Sequence, residues 1–94
     1  MKIKKVIWLD AIIDKIAWKH HVDPDEAIEA LTEGTKFRFV EKGHRPGEDV
    51  YAALGKTNAG RYLIVFFIYR KDQSIIILSA RDMTDAERKR YDKK

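Results

Sequence analysis

RYLIVFFIYRKDQSIIILSAR, residues 61–81, is two apolar runs parted by a short polar break. Both runs are rich in β-branched and aromatic residues, and both have strand length rather than membrane-spanning length. Lys71-Asp72-Gln73 suits a tight turn, so the two runs read as a hairpin, Arg61–Arg70 with Ser74–Ala80. Working back from Arg61, Asn58-Ala59-Gly60 offers a second turn and Asp49–Thr57 a third strand. KGHRPGE, with turn chemistry at Pro46-Gly47, then joins that strand to a fourth, Thr35–Glu41.

The remainder reads as helix, apart from an extended piece over Ile3–Leu9. Leu9, Ile12, Ile13, Ile16, Ala17 and His20 recur at helical spacing on one face. Asp23, Pro24 and Glu26 supply an N-cap, a first-turn proline and the far half of a capping box, and Gly34 offers a stop. Thr84 and Glu87 form a second capping box and open a last helix. Helices segregated from an antiparallel four-stranded meander define an α+β fold. With no linker, repeat or low-complexity segment, residues 1–94 read as one domain.

With those turns, Arg61 and Arg81 fall at one end of the sheet. Strict alternation then assigns Leu54, Ile64, Phe66, Ile68, Ile76 and Leu78 to a core face. Tyr51, Thr57, Arg61, Phe67, Tyr69, Ser79 and Arg81 go to a mixed face, open to a partner.

Composition narrows the chemistry. The 94 residues carry 19 basic and 15 acidic side chains, a formal net charge of +4, which permits a polyanionic partner without requiring one. There is no cysteine, hence no thiol nucleophile, disulfide or cysteine-ligated zinc. The basic, apolar N-terminus is broken by Asp10 and Asp14 and resembles no signal peptide, so a cytoplasmic location without membrane attachment is expected. Neither a Walker loop nor a dinucleotide-binding glycine pattern nor a nucleophile elbow is present.

What remains is a set of arginines, carboxylates and histidines. Arg61 and Arg81 together suit a phosphate, because guanidinium forks match its oxygens; rim arginines also commonly pair with acids. Glu48, with His44 and Arg45 in the long loop, is usable for acid–base work, but lies at the other end of the sheet. Glu87, Arg88 and Tyr91 share one side of the last helix, to approach the sheet or form solvated pairs. His20 lies on the apolar stripe and His21 diverges from it, which disfavours a shared metal. Trp18 falls opposite that stripe, where packing on another element is the expected use.

Taken in order, these residues resemble the BrnT family of type II toxins. The resemblance runs through Trp8, Lys19-His20-His21-Val22, Glu26-Ala27, Arg45, Gly47-Glu48, Gly55-Lys56-Thr57, Gly60-Arg61, Ser79-Ala80-Arg81, Glu87-Arg88 and Tyr91. It implies a RelE-like ribonuclease fold, RNA cleavage without metal or other cofactor, and inhibition by a BrnA-type antitoxin. By position it implies functional roles for Lys19, His20, Glu48, Arg61, Arg81, Glu87 and Arg88. Arg61 and Arg81 would stabilise the phosphate, with Arg88 in support. Glu48, Glu87 or His20 would move protons as a ribose 2′-hydroxyl attacks. Lys19, Arg45 and Lys56 would contact the RNA, and Tyr51 or Tyr69 would stack on its bases. Some positions depart from the family pattern. Ile12 and Ile16 replace a frequent Lys and Asn, His21 replaces the glycine of a Lys-His-Gly motif, and Val50 stands where an arginine is common. Losing basic groups near a phosphate weakens transition-state stabilisation. The alternative expectation is therefore a non-catalytic module that keeps the antitoxin interface.

Overall fold

The computed structural model describes residues 1–93. The elements run β1 (Lys5–Ile7), α1 (Asp10–His20), α2 (Pro24–Ala30), β2 (Lys36–Glu41), β3 (Asp49–Lys56), β4 (Tyr62–Tyr69), β5 (Ser74–Asp82) and α3 (Asp85–Asp92). The meander forms as expected, but the sheet has five strands, in the order β1-β5-β4-β3-β2. β1 adds itself parallel to β5, pairing Val6 with Ile75. The two predicted turns close their hairpins: the amides of Thr57 and Gly60 donate to Arg61 O and Thr57 O, and those of Arg70 and Gln73 to Ser74 O and Arg70 O.

Both capping boxes form. Asp23 N donates to Glu26 Oε1, while Thr84 N donates to Glu87 Oε1 and Glu87 N to Thr84 Oγ1. α1 ends differently. His21 takes the left-handed conformation (φ 54°) and its amide bonds back to Ala17 O. A glycine fits that conformation at no steric cost, whereas a side chain is disfavoured there.

The core face is the reverse of the one expected. Ile16, Val22, Ala27 and Ala30 from α1 and α2 pack on Ala53, Leu63, Val65, Phe67, Ile75, Ile77 and Ala80 of the sheet. Phe67, assigned to the mixed face, is fully buried, and Tyr51 and Tyr69 pack at the margin of this core. The other face carries a smaller cluster, Ala52, Leu54 and Ile64, backed by Phe66, Met83 and Tyr91 and crossed by α3. Ile16 is buried and Ile12 packs beside it, so these two departures from the family pattern serve the core. Gly55 lets α2 approach β3, since a Cβ there would meet Ala30 O at 1.9 Å. Trp18 belongs to neither core cluster and is 83% exposed, so the packing expected of it is not seen.

One irregularity matters for function. Phe66 pairs with Ser79 but Phe67 pairs with Ile77, so Leu78 is an extra residue, a β-bulge in β5. An inserted residue flips every later side chain to the opposite face. Arg81 therefore pairs with Ile64 and shares its face, not that of Phe67.

Candidate nucleic-acid interface

Arg61 and Arg81 stand at the same end of the sheet, as expected, but on opposite faces. Arg61 points to the helix-covered side. Its Nε donates to Asp82 Oδ1 at 2.7 Å and its Nη2 to Asp82 Oδ2 at 3.2 Å. Nη2 also donates to His20 O at 3.0 Å, and Nη1 to His21 O at 2.7 Å and to the Glu26 carboxylate at 3.1 and 3.2 Å. A guanidinium has five N–H groups, and all five of these have protein acceptors. The two carbonyls belong to the end of α1, where the helix supplies no partner of its own and a positive charge is favourable. The hydrogen bond to Asp82 raises the Arg61 pKa further and holds the Asp82 carboxyl below the usual carboxylate range.

Arg81 lies on the outer face, over the Phe66 ring (5.4 Å). Nη1 donates to Asp82 O at 3.0 Å and to Glu87 Oε1 at 2.8 Å, and Nη2 donates to Glu87 Oε2 at 3.1 Å. Among the described residues its Nε–H and second Nη2–H have no acceptor. They form one edge of the guanidinium, the same two-pronged fork that Arg61 closes on Asp82. Glu87 is drawn below the usual carboxylate range, first by the Arg81 hydrogen bond and then by the Thr84 amide.

Beside Arg81 lies a cluster that the sequence reading only half found. Tyr62 opens β4 on the outer face. The Arg88 guanidinium sits 4.0 Å from its ring centroid and Lys56 Nζ 4.8 Å. Its edge meets Tyr91 (5.8 Å, 90°), and its hydroxyl bonds Asp92 at 3.2 Å. Lys36 Nζ lies 5.4 Å from the Tyr91 ring and donates to the Tyr91 and Lys93 carbonyls, which anchors the end of α3. Lys36, Lys56, Arg88 and Arg90 have no carboxylate within ion-pair range among the described residues. Tyr62 and Lys36 carried no motif; the available signal was a tyrosine in register with a lysine across the Lys56–Tyr62 strand pair.

The remaining expected residues do not join this group. Glu48 forms an ion pair with Arg70 (3.6 Å) at the opposite end of β3, beside the exposed Arg45. Leu54, which lies level with Ile64 and Arg81, is six residue steps further along the chain, a span of about 20 Å. His20 and Lys19 belong to α1, on the far side of the sheet. Tyr51 stacks on Phe67 (6.2 Å, 20°) and meets Tyr69 edge-on (6.1 Å), and Tyr69 donates its hydroxyl to Lys2 O at 2.7 Å. Both tyrosines belong to the margin of the main core, so neither is the free stacking surface expected of it.

Residues 12–87 match the model of the family described as "Ribonuclease toxin, BrnT, of type II toxin-antitoxin system". The chain belongs to the BrnT family. Among solved structures it is similar to the 1.1 Å crystal structure of the Brucella abortus ribonuclease toxin BrnT. The TM-score is 0.63 at 19% identity, over 86% of this chain and 97% of that one. At such identity the likeness establishes a shared fold. No curated protein sequence matches the chain. Membership makes this a member of a ribonuclease toxin family whose systems pair each toxin with an antitoxin. No helix among the described residues is long and apolar enough to cross a membrane.

Proposed function

We propose that this BrnT-family chain cleaves RNA on the outer face of its sheet, with Arg81 as the phosphate-binding residue. The open Nε–Nη2 edge of Arg81 carries the reading. It is a charged fork already oriented by Glu87 and free to take two oxygens of one phosphate. Preorganised donors of this kind stabilise charge that develops in the transition state. In the reaction the ribose 2′-oxygen bonds to the adjacent phosphorus while a base takes its proton. The bond from phosphorus to the 5′-oxygen breaks as that oxygen gains a proton. The products are a 2′,3′-cyclic phosphate and a 5′-hydroxyl. Glu87 touches the fork and is the carboxylate we assign as base; its lowered pKa makes it a weak one and the reaction slow. Arg88 and Lys56 add positive charge for the flanking backbone.

Arg61 is read as structural, because its donors are already engaged. We also propose that cleavage needs no metal, since no three His, Asp or Glu side chains converge among the described residues. The partner is proposed to be a BrnA-like antitoxin. It acts by covering the outer face, in place of the Tyr51–Phe67–Tyr69 face that α1 and α2 bury. The deciding test incubates the purified chain with RNA in excess chelator and analyses the ends. Cyclic-phosphate products, lost in Arg81→Ala, are expected. Cleavage that returns only with a divalent ion refutes metal independence. RNA binding without any cleavage supports instead the non-catalytic module.

A further inference from the structure

We infer that Tyr62 is a stacking platform for an RNA base next to the phosphate held by Arg81, with Lys56 as a displaceable cover on the ring. This rests on the RNA reading above. Tyr62 and Ile64 are consecutive outward residues of β4, and Ile64 pairs with Arg81, so ring and fork are neighbours on one face. The ring is fixed at its edge by Tyr91 and at its hydroxyl by Asp92. Those contacts suffice to dock α3. They leave unexplained why two positive groups gather on the same π system, where they repel each other and, among the described residues, neither has a carboxylate within ion-pair range.

A single-stranded nucleic acid resolves that arrangement. Bases stack on aromatic rings and guanidinium planes, and phosphates take up the cations beside them. Arg88, at 4.0 Å, lies at stacking distance and extends the platform. Lys56, at 4.8 Å, is a point charge on a flexible stem, able to leave the ring for a phosphate and open that face to a base. Stacking of this kind tolerates any base, so the site fixes where RNA sits more than which sequence it reads.

The test uses the full chain and a short single-stranded RNA bearing 2-aminopurine, with a 2′-deoxy residue to block cleavage. Stacking quenches the fluorophore. The wild type should quench on binding, and Tyr62→Leu should lose the quench and bind about tenfold more weakly. Tyr62→Phe, which keeps the ring but loses the Asp92 bond, should lose far less. Thermal midpoints show whether each variant is folded. Quenching and affinity retained in Tyr62→Leu overturn the inference. So does a Tyr62→Phe variant as weak as Tyr62→Leu, which would assign the effect to the Asp92 contact. A parallel assay with cleavable RNA separates this from the reading it rests on. Quenching without cleavage by the wild type leaves the platform standing and refutes the nuclease. Cleavage by Tyr62→Leu with unchanged KM does the reverse. A wild type that binds no RNA overturns both.

Discussion

Arg61 and Arg81 leave the same end of the sheet and make opposite use of the same chemistry. Arg61 ties three parts of the fold together: the last carbonyls of α1, the capping carboxylate of α2 and the end of β5. Arg81 is held end-on by one carboxylate and keeps a two-donor edge open. Residue type and exposure do not separate them, since their side chains are 26% and 31% exposed. What separates them is how many of the five donors the fold has already engaged. A saturated arginine is part of the architecture, and an arginine with an oriented free edge is available for a ligand.

The largest expected effect tests the free edge. Arg81→Ala should slow RNA cleavage roughly a hundredfold to a thousandfold, by analogy with the loss of other oxyanion donors. The ion pair it removes is mostly buried (31% and 16% exposed), so some stability goes with it, but Glu87 keeps its bond from the Thr84 amide, and the thermal midpoint should fall less than in Arg61→Ala. Arg81→Lys keeps the charge without the fork and should recover only part of the rate. A variant that cleaves normally would move the phosphate site elsewhere, with the loop of His44, Arg45 and Glu48 the next candidate.

Arg61→Ala should show the opposite signature. Removing its charge-assisted bonds strands two helix-end carbonyls and two carboxylates, a loss on the order of 2–3 kcal/mol. For a domain of this size that lowers the thermal midpoint by about 10 °C or more. Cleavage by the fraction still folded should persist. If instead the midpoint holds and the rate collapses, the comparison is inverted and Arg61 is the phosphate ligand.

Acid titration sharpens the contrast between their partners. Asp82 and Glu87 both have folded pKa values below the usual carboxylate range. Such a group contributes stability that is present above its unfolded pKa, about 4, and disappears as the pH falls through the folded value. Wild-type stability should therefore fall off steeply below about pH 4. Glu87→Gln should flatten that loss more than Asp82→Asn, because Glu87 is 16% exposed and Asp82 62%. Denaturant midpoints across that window decide it.

The smallest effect concerns the carbonyls that Arg61 holds. His21→Gly relieves a left-handed backbone and restores the family's glycine, which should stabilise the chain by about 1 kcal/mol. The carbonyl that bonds Arg61 is main chain and remains. A neutral or negative change would mean that the His21 side chain contributes something its geometry does not reveal.

Much of this molecule is legible along the chain because its signals are local. A capping box spans four residues, a hairpin turn three, and alternation in a strand shows within six. These carried the meander, both turns, both helix starts and the end of the sheet where the arginines lie. The polar positions that resemble the BrnT family were legible for the same reason, as fixed residues at compatible spacing. The face on which a side chain lies is different. It depends on parity counted along the strand, and one bulged residue at Leu78 resets that count for Ser79 and Arg81. No local feature of IIILSAR announces the bulge. Which sheet face is the core was equally undecidable, since Leu54, Ile64 and Phe66 are as apolar as Leu63, Val65 and Phe67. The choice was made by where α1 and α2 pack, with Gly55 admitting α2 to within contact of β3. Only the tertiary structure could then show that Arg61 has every donor engaged while Arg81 does not, because the acceptors come from residues up to 41 positions away.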